Sequence, residues 1–286
     1  MTDVGVVVLS MGNRLPELDR ALRSLLNQQS VSLDVMVIGN GWQPTGLPED
    51  VRAHALAENV GIPEGRNVGA RLVTGDVLLF FDDDAELRAP DVLARIVQEF
   101  RSDTSLGILQ PRAVDPGGLA TARRHIPRLR TADPERPGDV AWFWEGCCFI
   151  RRTTFDRVGG WPGSFWYGHE GIEVAWRAVD AGYRIRYAAE LEVLHPAVAP
   201  SRHPEYRYMN ARNRVWVARR NLPHPLLELY LLVWVLGTFA RIRRLGDALV
   251  AARGFVDGAR LPAGERRPIS WRAAWRMTRL GRPPVV

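Results

Sequence analysis

Five apolar residues closed by three aspartates, Val77–Phe81 and then Asp82, Asp83 and Asp84, constrain this chain more than any other stretch. A run so short, continuous and bounded by Gly75 and Asp82 reads as a strand buried on both faces, which calls for helices above and below a parallel α/β sheet. Alternate strand residues share a face, so Asp82 and Asp84 converge on one point while Asp83 turns aside. They do so at the carboxyl edge, where open parallel sheets hold their ligands. Adjacent carboxylates repel one another, and a divalent cation that prefers oxygen relieves that repulsion. The plain alternative is a solvated acidic turn ahead of the next helix, near Pro90.

The surrounding pattern supports an α/β sheet. Val4–Ser10 reads as a buried strand; Leu18, Ala21, Leu22, Leu25 and Leu26 follow at helical spacing; Leu33–Ile38 is a second strand, ending in Gly39, Asn40 and Gly41. Between Asn59 and Arg66 lie Gly61, Pro63 and Gly65, a turn leading into a short helix. Arg66 and Asn67 are predicted on its first turn, where the helix dipole and a guanidinium can meet an anion such as a diphosphate. Beyond the aspartates, Val92, Ile96, Val97 and Phe100 mark a helix, and Leu106–Gln110, Arg184–Ala188 and Leu191–Pro196 further extended segments. Asp115–Asp139 shows no period and reads as a mobile loop over the site or a linker, with Arg123, Arg124, Arg128 and Arg130 suited to an anionic acceptor. Trp161, Phe165, Trp166 and Tyr167 are either core or sugar-stacking rings.

Residues Asn59, Gly61, Arg66, Asn67 and Gly69, followed by FFDDDAEL, resemble the corresponding run of the inverting glycosyltransferases of family two, rhamnosyltransferase-like members among them. The resemblance implies a GT-A type fold with a mixed, mainly parallel sheet over residues 1–201. It also implies Mn2+ or Mg2+ on an Asp-x-Asp motif, here Asp82 and Asp84, with His195 as third ligand. A UDP-, dTDP- or GDP-linked sugar would then contact Ser10, Asn40, Arg66, Asn67, Asp82 and Asp83. The sequence HEGIEVAWRAVDAGYRI fits the family's acidic, two variable, acidic, apolar, x, Trp-Arg pattern at Glu170, Glu173 and Trp176-Arg177. Its apolar positions Ile172, Ala175, Trp176 and Val179 share one helical face, and Glu170 and Glu173 stand one above the other at the helix start. Inverting transfer needs a base for the acceptor hydroxyl; Glu170 is the first candidate and Glu173 the reserve. Two departures stand out: many members carry the base at the position of Gly171, and an acid at that of Gly39.

Charge divides the chain. From residue 202 onward seventeen arginines face five acidic residues, a net of +12, so the first 201 residues carry −6 of the +6 total; no lysine occurs. No nucleic-acid-binding module accompanies this basic tail, and its charges flank the apolar run Leu226–Ala240, too short as a helix to span the roughly 30 Å hydrocarbon layer. The run, with Arg241, Arg243 and Arg244 after it and Trp271 and Trp275 beyond, predicts a helical extension over 202–286 that lies on an anionic membrane, or else a soluble helical subdomain or dimer interface. Adjacent Cys147 and Cys148 point to opposite faces of a strand and form no disulfide framework, and the N-terminus lacks the pattern of a secretion signal. A cytoplasmic enzyme at the inner face of the membrane, acting on a cell-envelope or lipid-linked glycan, is the expectation. A silent nucleotide- or glycan-binding scaffold and a nucleotidyltransferase are the rivals; a dehydrogenase is disfavoured because no GxGxxG follows the first strand.

Overall fold

The computed structural model describes residues 2–118, 121–129, 133–197 and 205–285. Among these residues nine strands form one mixed sheet: β1 (Val4–Ser10), β2 (Leu33–Asn40), β3 (Val51–Leu56), β4 (Val77–Asp82), β5 (Glu86–Leu87), β6 (Leu106–Val114), β7 (Gly138–Val140), β8 (Cys147–Arg151) and β9 (Arg184–Leu194). The order is β3-β2-β1-β4-β8-β6-β9-β5, with β7 on β9. The first four strands in that order are parallel, and β8 runs against both its neighbours, β4 and β6. This reversal positions the site. With Phe81 opposite Cys147, the residues leading into β8 lie beside the carboxyl end of β4, and Asp82 N–H donates to the Gly146 carbonyl at 2.8 Å. The expected segments 184–188 and 191–196 are one strand, β9, irregular in register where Pro111 gives way to Arg112 on β6; it ends at the same edge.

Helices cover both faces. On one, α1 (Leu15–Leu26) and α3 (Val92–Ser102) seal Val6, Leu79 and Phe149 with Leu22, Ile96 and Phe100. On the other lie α2 (Ile62–Leu72), α4 (Arg152–Val158) and α5 (Glu170–Asp180), over Val7, Phe80 and Cys148. Cys147 and Cys148 thus enter opposite cores, both free. The tail forms α6 (Tyr206–Asn221), α7 (Leu226–Arg241), α8 (Leu245–Arg260) and α9 (Trp271–Arg279). Trp216, Tyr230 and Met277 from these helices, and Leu222 just after α6, belong to the same core as Phe80 and Val174. The expected boundary at 201/202 falls outside the described residues, and the two sides of it share that core. No described helix is long and apolar enough to cross a membrane.

The join between tail and sheet is specific. Asn213 on α6 is fully buried, and its Nδ2 donates to the carbonyls of Phe165, Tyr167 and Gly168 at 3.0, 2.9 and 2.9 Å. Removing it takes this donor from all three carbonyls; the Phe165 carbonyl keeps Arg212 Nη2 at 2.9 Å and the Tyr167 N–H at 2.7 Å, so the cost falls on the carbonyls of Tyr167 and Gly168. Asn213→Ala is expected to lower unfolding stability by about 2–3 kcal/mol, measured by urea denaturation, with the loss unchanged by salt.

Candidate active site

Ser10, Asn40, Asn59, Arg66, Asp82, Asp83, Asp84 and His195 line a cavity of about 600 Å³ at the carboxyl edge of the sheet. The aspartates diverge as expected, but by a turn and not by strand alternation: β4 ends at Asp82, and Asp83 and Asp84 lie in a turn that the Ala85 N–H closes on the Asp82 carbonyl at 3.1 Å. Asp82 and Asp84 face His195, whose Nε2 lies 3.6 Å from Asp82 Oδ2 and 3.2 Å from Asp84 Oδ1. Asp83 turns the other way, accepting from Ser10 Oγ at 2.7 Å and pairing with Arg14 at 2.6 Å. Arg14 also pairs with Asp84. Burial pushes Asp83 up to about 6, against the opposing pull of Arg14 and Ser10.

One ligand atom each from Asp82, Asp84 and His195 lies within 4.8 Å of the others. Two carboxylates and an imidazole form a donor set that Mn2+ or Mg2+ accepts, so the residues fit the expected cation. The electrostatics agree: burial alone would lower the His195 pKa, yet hydrogen bonds with Asp82 and Asp84 carry it to about 9.

Asn40 acts through its neighbours. Its Nδ2 donates to Asn59 Oδ1 at 2.8 Å and its Oδ1 accepts from Val60 N–H at 2.9 Å, fastening the segment that leads into α2 to the end of β2. Gly39, where an acid was expected, has no room for a side chain: a Cβ there would stand 2.0 Å from the Trp42 carbonyl. The helix α2 starts at Ile62, so Arg66 and Asn67 sit on its second turn and not its first, and the Ile62 N–H donates to the Trp166 carbonyl. Arg66 still reaches the site through its side chain, 2.8 Å from Asp82 Oδ1. Asn67 does not: its amide brackets Trp161, donating to the Trp161 carbonyl and accepting from its N–H, both at 2.9 Å, and it lines neither cavity. The rings divide likewise. Trp161 and Phe165 are core, while Trp166 and Tyr167 face the ligand space.

A second cavity of about 390 Å³ adjoins the first and shares Ile62, Arg66, Asp82, Arg124, Trp144 and Tyr167 with it. Glu170 lies in its wall, 5% exposed, its Oε2 without a hydrogen-bond partner among the described residues. Glu173, the reserve base, is elsewhere: Arg220, Asn221 and Arg177 hold its carboxylate at 2.7, 2.8 and 3.0 Å, between α5 and α6, and it lines neither cavity. Beside Glu170 stands a carboxyl group that sequence reasoning missed. Glu145, in the turn before β8, accepts the Gly171 N–H at 3.0 Å. A Cβ at residue 171 would fall 2.1 Å from Glu145 Oε1, so Glu145 occupies the space that a side chain at 171 would take. Burial and the charge of Glu170 push Glu145 up to about 8; burial also raises Glu170, opposed by Arg66. Burial and their mutual repulsion thus disfavour a second negative charge in the pair. The sequence signal of Glu145 was an acid inside an otherwise apolar run, Trp142–Ile150.

The loop expected to be mobile is fastened at its middle. Residues 123–125 form a 3-10 turn, and buried His125 packs on Trp144 and His195 with ring centroids 4.4 and 5.2 Å apart. Arg124 lines both cavities; Arg123 and Arg128 instead bind backbone carbonyls of the loop itself, and Arg130 lies outside the described residues.

Residues 6–159 match the family model described as Glycosyl transferase family 2. The chain is 27% identical over 240 residues to an N-acetylglucosaminyl-diphospho-decaprenol L-rhamnosyltransferase of Mycobacterium tuberculosis, covering 68% of this chain and 76% of that protein. It is 28% identical over 153 residues to a glucosyl-dolichyl phosphate glucuronosyltransferase of Haloferax volcanii, covering 50% and 45%. The chain spans less than half the length of the first two curated relatives it matches, 36% and 45%. Among solved structures, GalNAc-T7 with UDP, GalNAc and Mn2+ superposes with a TM-score of 0.63 over 92% of this chain and 57% of that one, at 15% identity. That likeness shows the fold, which is of GT-A type.

Proposed function

Because the chain belongs to glycosyl transferase family 2, we propose that it transfers a hexosyl or deoxyhexosyl group, with inversion, from a nucleotide-diphosphate sugar to a hydroxyl of a cell-envelope or lipid-linked glycan. The observation that carries this reading is the junction of the two cavities at Arg66 and Asp82, with the cation ligands on one side and the Glu145–Glu170 pair on the other.

Ser10, Asn40 and Asp83 form the nucleoside side of the larger cavity, and Arg66 stands where a diphosphate would lie. Asp82, Asp84 and His195 would hold Mn2+ or Mg2+, whose chemistry is to neutralise the charge that gathers on the leaving diphosphate. Glu170 takes the acceptor hydroxyl proton as the hydroxyl oxygen bonds to the anomeric carbon. The bond from that carbon to the diphosphate breaks, and its electron pair leaves with the nucleotide. Burial beside Glu170 raises the Glu145 pKa, which disfavours a second charge in the pair, while Arg66 favours the anion on Glu170.

Membrane contact belongs to the same reading. Leu229, Leu232, Leu236 and Phe239 recur at helical spacing on α7 and are 40–61% exposed, and the exposed Arg241, Arg243 and Arg244 follow. Such a face with adjoining arginines suits the surface of an anionic membrane, here the inner face of the cell membrane where a lipid-linked acceptor is presented.

The test is a panel of UDP-, dTDP- and GDP-sugars with Mn2+ or Mg2+ and a polyprenyl-diphosphate glycan acceptor. One donor should release nucleoside diphosphate, and proton NMR should show a product with the opposite anomeric configuration. Retention would overturn the mechanism, and release of pyrophosphate from a nucleoside triphosphate would identify a nucleotidyltransferase instead.

A further inference from the structure

The second cavity carries more positive charge than the transfer chemistry uses. Arg214 on α6 and Arg282 after α9 both line it, and neither has a carboxylate within ion-pair distance among the described residues. Arg214 is held by neutral groups: its guanidinium lies 3.3 Å from the Trp234 ring centroid, with Asn210 Oδ1 at 3.2 Å and Tyr230 Oη at 3.4 Å. Arg282 lies over Trp142 at 4.7 Å. Burial, then Arg123, then Arg214 push the Arg282 pKa down to about 10, so the two cations disfavour each other. Removing a charge from water without a counter-charge is costly, and cation–π contact recovers only part of that.

Unpaired polar atoms belong to residues of the same wall. Trp142 Nε1, Trp234 Nε1, His169 Nε2 and Glu170 Oε2 are buried without hydrogen-bond partners among the described residues, and all four residues line this cavity. Burial and Arg214 hold His169 neutral, so it adds no third charge.

We infer that this cavity binds the acceptor through a phosphate or diphosphate group seated between Arg214 and Arg282, with the indole N–H groups as further donors and the acceptor hydroxyl turned toward Glu170. Two guanidiniums match the two charges of a diphosphate diester, and arginine meets phosphate oxygens with paired donors. Trp234 and Tyr230, in the cavity wall, lie on α7, the helix that exposes Leu232 and Leu236, so a lipid esterified to that phosphate has an apolar path outward. The assignment rests on reading the first cavity as the donor site.

Binding is measured by calorimetry on the full chain with EDTA present, using geranyl diphosphate and inorganic pyrophosphate as probes, for wild type, Arg214→Lys, Arg214→Gln and Arg282→Gln. Geranyl diphosphate should bind wild type and weaken at least tenfold in both glutamine variants, less in Arg214→Lys. The nucleotide- and metal-dependent rise in melting temperature should persist in all of them. Tighter binding of geranyl diphosphate than of pyrophosphate assigns the phosphate to a lipid; equal binding, lost in both glutamine variants, assigns it to a soluble phosphosugar. No binding to wild type, or equal affinity in wild type and the Arg282→Gln variant, overturns the inference. If anion binding passes while nucleotide binding fails, the donor-site reading falls and the anion site stands.

Discussion

Glu170→Gln is expected to reduce the transfer rate by about 10²–10⁴-fold, the usual contribution of a positioned general base, while the nucleotide still binds. The amide fills the same space but takes no proton, so the loss should fall on kcat. Glu173→Gln should behave otherwise. Its carboxylate neutralises Arg177 and Arg220 in the buried join to α6, and breaking such a pair costs about 3–5 kcal/mol of stability, with turnover per folded molecule largely kept. Stopped assays and urea melts on both variants separate the roles; near-normal kcat in Glu170→Gln would remove it from the mechanism. Glu145 supplies a finer control. Glu145→Ala should also lose activity, and adding Gly171→Asp, which returns a carboxylate to the vacated space, should restore part of it. The pH dependence has a defined sign. Glu145 is raised on folding, so between pH 4.5 and about 8 the folded state binds more protons than the unfolded chain, and this group's contribution to stability falls as pH rises. Glu145→Gln should therefore gain melting temperature relative to wild type at pH 8 and not at pH 5.

Asp84→Asn is expected to abolish the metal-dependent stabilisation by nucleotide. Wild type should show a rise in melting temperature for one of UDP, dTDP, GDP and CDP only when Mn2+ or Mg2+ is present, since a ligand that binds the folded state alone stabilises it by mass action. Asp84 is the aspartate closer to His195, and asparagine preserves its volume while removing the charge. Transfer should fall with the stabilisation, by at least the 10²-fold that loss of electrostatic stabilisation at a reacting centre produces. A variant that keeps the metal-dependent shift would show that Asp82 and His195 suffice. The two principal substitutions thus part cleanly: one keeps nucleotide binding and loses chemistry, the other loses both.

How far the sequence foretold this site follows from the kind of residue concerned. The aspartates were legible because the end of a buried strand is marked by the change from apolar to charged; that a turn after Asp82, and not the period of the strand, brings Asp84 back beside it was not. His195 was singled out by the family resemblance, which its place at the end of an apolar segment allowed but did not by itself require. Glu145 and Arg14 were not legible, because their placement depends on the direction of β8 and on the distance between β1 and β4 in space, which no local pattern encodes. Asn67 looked like a ligand residue from its place after Arg66, but a helix turns 100° per residue, and the next side chain meets Trp161. Gly171 read as a lost acid; with the structure in hand it is the space that Glu145 needs. The tail was read as an appendage because its composition differs from that of the sheet, yet Asn213, Trp216 and Tyr230 pack into the same interior.

That construction divides the labour of recognition along the chain. The family-matched span, 6–159, contains Ser10, Asn40 and the three aspartates, whereas His169, Arg214, Trp234 and Arg282 in the second cavity all lie beyond it. If the first cavity holds the donor and the second the acceptor, as proposed, substitutions in α6 and α7 should retune which acceptor is taken while the nucleotide edge stays fixed. A chimera that exchanges residues 205–285 with those of a relative would be read out as a change of product, with the donor left as it was.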